Sequence, residues 1–406
     1  MEPRLLVLGA GRHQKALIRR AEERGLRVVA VDYYADAPGK ALASYPVDLD
    51  ALAIEEVIAV ARKYAVRGVI TSGTDLALVT MADVAAALGL SCYLTPQAAR
   101  TATDKARMMR AFAEQGVPHA PSVELKEVKF PAVVKPADSQ GQRGVRKVGD
   151  RAALEVALAE ARRLSRSRTA LVEPFTEGYE VTANAWAKGG EVRIQMITDR
   201  VTYNPLPAIG ICFQHVYPSL HAAGLQEKVR DALRRIARGY GVRDAPLYVQ
   251  MIVGKGGALS VVEAACRVGG GHEASLTPVA TGIEVLDRLI DLALEGRSAD
   301  IADAHDERGT RGHALVNFLL ARPGRVASLS GFENNPLVEE GEYYVRAGHE
   351  QKPIVDGQGR VGYFIAQERT RIALLERAAA AYRSLTMADA GGRNLLFTPE
   401  PAQLLG

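Results

Sequence analysis

Between Leu5 and Leu88 short apolar runs alternate with helical stretches, and this alternation restricts the first part of the chain to one kind of sheet. Leu5–Leu8 is apolar and ends at Gly9-Ala10-Gly11. A helical pattern then runs to Arg24-Gly25, and Val28–Val31 forms a second apolar run that ends at Asp32. Ala51–Tyr64 reads as helix and Gly68–Ile70 as strand, and the loop Thr71–Asp75 leads into another helix ending near Leu88. Strands separated by helices pair in parallel through crossover connections. The expectation for residues 1–95 is a doubly wound α/β domain. Its ligands should sit beyond the strands' carboxyl ends, where Gly9, Gly11, Asp32 and the 71–75 loop gather. Gly9, Gly11 and Asp32 supply part of a dinucleotide fingerprint, but the third glycine position is Gln14. A nicotinamide-dependent oxidoreductase therefore stands only as an alternative.

The stretch Phe130–Lys147 carries the strongest chemistry. The apolar run Ala132–Val134 delivers Lys135, and Ser139, Gly141, Gln142 and Gly144 follow in a short glycine loop. A lysine at the end of a buried strand is costly unless an anion meets it. Glycines behind it can turn backbone N–H groups toward phosphate oxygens without a Cβ in the way. Strand, lysine and loop together read as a triphosphate clamp. Removing the Lys135 charge should cost nucleotide affinity and leave the fold intact, since no core volume is lost.

Thr95-Pro96 opens a helical stretch to about Gln115 that carries Lys105, and Arg151–Ser165 is an amphipathic helix. In Ala170–Asn184, Glu173 ends a strand and Pro174, Phe175 and Thr176 follow, with Glu180 opening the next strand. Pro174 offers a carbonyl and Thr176 an N–H, the complement of an adenine edge, and Glu180 could accept from ribose hydroxyls. The hairpin of Leu247–Val253 and Ser260–Glu263 places Gln250 opposite Glu263, two oxygen ligands for a shared Mg2+. Arg267 follows, then Gly269-Gly270-Gly271-His272. A buried Glu–Arg pair could simply neutralise itself, but three consecutive glycines suggest close approach of backbone to a ligand. Thr277–Glu295 reads as one core helix. The tail from 305 reads as a small mixed sheet with a helix over Glu368–Ser384, and residues 388–406 as a loosely held end.

The 406 residues suit about two or three domains. No apolar run reaches the length of a membrane span, and the N-terminus enters a strand pattern rather than a signal peptide. Cys92, Cys212 and Cys266 form neither a CxxC pair nor a disulfide framework, which implies a reducing, cytoplasmic setting. A net charge of +4 spread in mixed sign, with 6% aromatics, fits a small anionic substrate and argues against nucleic acid.

In order and spacing the segments VVKP, SQGQRGV, EPFTEGYE and VQMIV to EAACR resemble the ATP-grasp superfamily. The likeness spans about residues 1–300. It implies a preATP-grasp Rossmann-like domain over 1–95 and an ATP-grasp domain over 96–300 built from two α+β lobes. The central lobe, about 122–185, is flexible, and a mixed α/β cap covers 301–406. The resemblance further implies that ATP and Mg2+ or Mn2+ serve as cofactors. Lys105 and Lys135 would contact phosphates, and the loop with Ser139, Gly141, Gln142 and Gly144 would close over them. Glu173, Pro174, Phe175 and Thr176 would hold adenine, and Glu180 the ribose. Glu263 and Gln250 would bind metal, and Arg267, Gly270, Gly271 and His272 would be catalytic. Two positions depart from the pattern: Gln250 replaces a usual acid, and Ala265 a usual Asn or Asp. Among relatives the chain is similar to amino-acid ligases and carbamoyl-phosphate-synthase-like ligases. The implied activity is an ADP-forming carboxylate–amine ligase, a homodimer as is usual in this fold, acting on amino acids without nucleic acid or membrane. Bicarbonate activation of the biotin-carboxylase type, and a nucleotide-binding regulator without turnover, are the alternatives. The acceptor pocket should be lined by the N-terminal strand ends, Arg200, Tyr203, His215, Tyr217 and residues 267–272.

Overall fold

The computed structural model describes residues 2–303 and 311–400. β1 (Arg4–Leu8), α1 (Lys15–Glu23), β2 (Arg27–Asp32), β3 (Tyr45–Asp48), α2 (Ile54–Lys63), β4 (Gly68–Ile70) and α3 (Leu78–Leu88) alternate along the chain. The four strands form a parallel sheet in the order β3-β2-β1-β4. β1 and β2 are continuous apolar runs because both of their faces are covered. Two helices, α4 (Pro96–Thr103) and α5 (Lys105–Gln115), lead out of this layer. Thr95 and Asp104 cap them by accepting from the N–H groups of Ala98 and Arg107, and Gly116 ends α5 in the left-handed conformation.

A three-stranded lobe follows, with β5 (Ala132–Pro136), β6 (Arg146–Val148), α6 (Arg151–Leu164) and β7 (Ala170–Pro174) in the order β6-β5-β7. α6 closes its core through Leu154, Ala157, Leu158 and Ala161. The chain then builds β8 (Tyr179–Lys188), β9 (Glu191–Tyr203), β10 (Ile211–Tyr217), α7 (Gln226–Tyr240), β11 (Asp244–Val253), β12 (Leu259–Ala265), α8 (Glu273–Thr281), α9 (Val285–Glu295) and β13 (His313–Leu319). These strands belong to one eight-stranded antiparallel sheet, β12-β11-β8-β9-β10-β13, extended by Gly362–Glu368 and then Glu340–Tyr343.

Four features differ from the sequence reading. β8 pairs in the large sheet, so the small lobe's strands end at Pro174 rather than near 185. The tail is not a separate sheet: β13 pairs directly with β10, and three strands of the tail continue the large sheet. The expected helix over Thr277–Glu295 breaks at Gly282, whose φ is +76°. Beyond that break α9 packs Leu286, Leu289, Ile290 and Ala293 onto Leu5, Val7 and Ile70, so it covers the N-terminal sheet. Finally, the end of the chain is held at least to Leu396, because Leu395 and Leu396 are buried in the core beside Leu320 and Tyr382. Among the described residues no helix is long and apolar enough to cross a membrane.

Candidate active site

The large sheet meets the three-stranded lobe around a cavity of about 620 Å³, a size usual for a small-molecule site. Each wall is set by strand register. In β5 the apolar Ala132 and Val134 face α6, and Lys135 emerges at the strand's end with only 4% of its surface exposed. Its Nζ lies 2.5 Å from Glu173 Oε1 on β7. Lys105, the first residue of α5, donates to the Ser139 carbonyl at 3.0 Å and lies 3.6 Å from Glu263 Oε2. On the large sheet Gln250 faces Glu263 across β11 and β12, and a bulge follows at Met251. Gln250 Nε2 donates to Glu180 Oε2 at 2.6 Å, and Arg200 Nη1 donates to the same oxygen at 2.5 Å.

The glycine loop closes the top. Gly141, Gln142 and Gly144 all have positive φ, and a Cβ on Gly144 would come 2.7 Å from Leu164 Cδ1. Glycine is needed there both for backbone and for space. The loop is tied from two sides. Gln140 Oε1 accepts from Thr74 Oγ1 and the Asp75 N–H, each at 3.3 Å. The Gly141 carbonyl accepts from the Gly357 N–H at 2.8 Å.

The cavity is lined by both cations and acids, and Glu263 stands among the cations. Burial raises the Glu263 carboxyl, but Lys105, Lys135 and Arg267 outweigh it and hold the group below its ordinary range. Glu263 is thus anionic and suited to a hard cation. Among the described residues no group of three His, Cys, Asp or Glu could enclose a metal, so phosphate oxygens would have to complete the shell around Glu263. Two buried donors on the cavity wall, Gln140 Nε2 and Arg200 Nε, have no partner among the described residues. A polyanion would satisfy them, and these lysines and unpaired donors fit a nucleotide triphosphate.

All eleven residues expected around the nucleotide except Gly144 line this one cavity, together with Gln250 and Glu263. The residues expected to be catalytic do not line it. Arg267 is bonded to Asp75 at the interface with the N-terminal sheet, Nε to Oδ1 at 2.8 Å and Nη2 to Oδ2 at 2.9 Å. The Gly271 N–H, expected as an oxyanion donor, is already given to Glu273 Oε2. The glycine run has a packing reason: a Cβ on Gly270 would sit 2.5 Å from the Gly73 carbonyl oxygen, and one on Gly269 would meet Glu273 and Tyr248. His272 is stacked on Tyr363 at 3.3 Å, with Nε2 2.5 Å from the Tyr344 hydroxyl, and burial holds its pKa well below the ordinary value.

Of the expected acceptor-site residues, Arg200 lines the cavity, whereas His215 is buried outside its lining, with Nε2 3.4 Å from Glu273 Oε1. Tyr203 and Tyr217 instead fill two hydrophobic clusters. Asp32 is occupied by the backbone: Oδ2 accepts from the Ala10 N–H and Oδ1 from the Tyr34 N–H. Sequence reasoning did not find Lys147, whose Nζ stands 3.6 Å from the Phe175 ring centre, or Tyr179, stacked on His221 at 3.7 Å. Both pairs lie on the cavity wall. Lys147 sat in the glycine-loop segment, and its alternation with Val148 was the available signal.

Comparison with known proteins agrees with this geometry. An ATP-grasp domain model matches residues 128–275, and a model of L-amino acid ligase C-terminal domain 2 matches 317–388. Alanine–anticapsin ligase of Bacillus subtilis is 24% identical over 279 residues, covering 61% of this chain and 58% of the relative. Formate-dependent phosphoribosylglycinamide formyltransferase of Bordetella pertussis is 33% identical over 201 residues, 44% of this chain and 48% of the relative. The chain thus spans under two thirds of the length of these curated relatives. In fold it is similar to an L-amino acid ligase from Bacillus licheniformis, with TM-score 0.79, 19% identity and coverage of 96% of this chain and 99% of that one. Phosphoribosylglycinamide synthetase from Anaerococcus prevotii superposes with TM-score 0.75 and 21% identity over 96% and 100%. The ATP-grasp domain match over residues 128–275 takes in Lys135, Glu173, Glu180, Gln250 and Glu263, all of which line the cavity.

Proposed function

We propose that the protein is an ADP-forming carboxylate–amine ligase that joins two small molecules, amino acids on our reading, through an acyl phosphate. The observation that carries this is the convergence of Lys105, Lys135, Glu180, Gln250 and Glu263 on one cavity between two lobes. The match of the tail to an L-amino acid ligase domain supports the choice of substrates. Alanine–anticapsin ligase, the relative named above, points the same way.

The chemistry asks mainly for position and charge neutralisation. Lys105 and Lys135 would hold the phosphates, and the 139–145 loop would exclude water from them. Glu263, kept ionised, would hold Mg2+ with Gln250 and the phosphates, and the metal would neutralise charge on the transferring group. A substrate carboxylate oxygen attacks the γ-phosphorus, and the bond to the bridging oxygen of ADP breaks. The amine then attacks the acyl carbon, phosphate leaves with its bonding electrons, and the amine's proton passes to that phosphate. His272 is held neutral by burial and bonded to Tyr344, so we assign it to substrate contact rather than to proton transfer. We place the protein in the cytoplasm as a homodimer, with working units at 1–95, 96–300 and 301–406.

Phosphate release from ATP and Mg2+ should be measured against single amino acids, amino-acid pairs, small carboxylic acids and bicarbonate. Release that needs an acid and an amine together is the expected result. Release with bicarbonate alone would overturn it in favour of bicarbonate activation. Nucleotide binding without release under any pair would favour the regulator reading, for which Gln250 and Ala265 are the supporting features.

A further inference from the structure

Behind the nucleotide cavity a buried acid faces a buried histidine with no donor between them. Glu273, at the start of α8, is 1% exposed, and His215, on β10, is 2% exposed. Glu273 Oε2 accepts from the Gly271 N–H, whereas Oε1 has no hydrogen-bond partner among the described residues and lies 3.4 Å from His215 Nε2. Among those residues no lysine or arginine stands within ion-pair distance of Glu273: Arg267 is taken by Asp75 and Arg200 by Glu180. Burial raises the Glu273 carboxyl, with Arg267 and Arg200 opposing it at longer range, and burial keeps the His215 ring neutral. His215 Nδ1 is 3.3 Å from Thr198 Oγ1. With the ring proton on Nδ1 toward Thr198, His215 Nε2 and Glu273 Oε1 are two acceptors converging on one point. Gly271 leaves that point open, since a Cβ there would stand 2.8 Å from His215 Nε2 and 2.9 Å from Glu273 Oε1.

A buried polar atom left without a partner is costly. What two converging acceptors lack is a donor, and an ammonium group carries three. The proposed reaction brings one, because an amino acid arrives in its ammonium form and cannot attack until it has lost a proton. We infer that Glu273 and His215 seat the acceptor's ammonium group beside Gly271 and take the proton that frees its lone pair. This rests on the ligase reading. One N–H bond of the ammonium breaks, the electron pair stays on nitrogen, and the proton goes to the carboxylate–imidazole pair and from there to solvent. The free amine bonds to the acyl carbon, the bond from that carbon to the phosphate oxygen breaks, and the amine's second proton leaves on the phosphate. The seat is close to the metal side of the cavity. A Cβ on Gly269 would meet both Glu273 and Tyr248, and Tyr248 precedes Gln250 by two residues of β11, about 7 Å along the strand. A polar track joins the two places: Thr182, whose Oγ1 is also unpartnered among the described residues, stands opposite Gln250 on one side and Thr198 on the other. Arg200, which lines the cavity, is opposite His215 in register.

Hydroxylamine is uncharged at neutral pH, so it needs no base and intercepts an acyl phosphate as the hydroxamate. With one acid substrate held fixed, phosphate release with an amino acid as the amine and hydroxamate formation with hydroxylamine are compared in the wild type, Glu273→Gln and His215→Gln. Glu273→Gln keeps an oxygen for the Gly271 N–H. Each variant should lose about 100-fold or more in kcat/KM for the amino acid, the scale of a lost general base, and should form hydroxamate at close to the wild-type rate. That retained rate also shows that the variant folds and phosphorylates the acid. Raising the pH should return part of the amino-acid activity to the variants, because more of the amine is then free. Equal losses with both nucleophiles, or no loss with either, would overturn the inference and leave the ligase reading in place, since hydroxamate from the wild type already reports the acyl phosphate. No hydroxamate from the wild type with any acid would instead strike the ligase reading, and this inference with it.

Discussion

Arg267 lays its guanidinium along the carboxylate of Asp75, with two hydrogen bonds of 2.8 and 2.9 Å between residues 192 positions apart. Both side chains are almost fully buried. The pair joins the loop after β4 to the turn after β12, so the N-terminal sheet and the large sheet are fixed together beside the nucleotide cavity. The same Asp75 N–H meets Gln140 of the glycine loop.

Removing one partner of that pair leaves a buried charge. Arg267→Met and Asp75→Leu should each cost about 3–5 kcal/mol of stability, whereas the variant carrying both should cost less than the sum. Urea unfolding of the four proteins measures this. Additive losses would mean that the two groups do not stabilise one another.

Lys135 reads from sequence as a charge that could be removed without harm to the fold. The 2.5 Å contact with Glu173 changes that expectation. Lys135→Met strands a buried carboxylate, so it should lose both nucleotide affinity and stability. Adding Glu173→Gln should restore much of the stability and none of the affinity. Calorimetric titration with ADP and thermal unfolding separate the two effects; affinity that returned with the second substitution would remove Lys135 from the phosphate site.

Glu263→Gln keeps the shape of the side chain and removes its charge. Turnover with Mg2+ should fall by about 100-fold or more, on the scale of losing a charge-stabilising group. ATP affinity measured in EDTA should change little or improve, because Lys105 loses its nearby anion. A fall of equal size in both measurements would mean that Glu263 does not bind metal.

Much of this site was legible because its parts are local. A lysine at a strand end, glycines behind it and an acid opposite a glutamine across a hairpin are all short-range patterns. What could not be read is long-range. Nothing around Asp75 announces Arg267, and nothing in α9 distinguishes a helix that covers the large sheet from one that returns to β4. The tail's strands have ordinary alternation, which gives no sign that β13 pairs with β10.

The triple glycine offers a direct test of packing against chemistry. Gly270→Ala places a Cβ 2.5 Å from the Gly73 carbonyl oxygen, and a clash with backbone should cost about 1–3 kcal/mol. The loss should appear in the unfolding midpoint and separate the two sheets' unfolding, since Gly73 lies in the loop that carries Asp75. An unchanged midpoint with reduced turnover would return the run to a role at the substrate.

His215 supplies a pH dependence whose sign can be worked out. Only 2% of the side chain is exposed, and burial, with Arg200 and Arg360 nearby, holds its pKa well below the ordinary value. The folded protein therefore binds this proton less readily than the unfolded chain. Stability contributed by the neutral ring is complete above about pH 6.5 and is lost as the pH falls below it. Glu273, whose carboxyl burial raises, works in the opposite direction but is present in both proteins compared. Urea unfolding at pH 7.5 and pH 5 should show a smaller acid loss in His215→Gln than in the wild type. Identical losses in the two proteins would mean that His215 is protonated in the folded state and pairs with Glu273 as an ion.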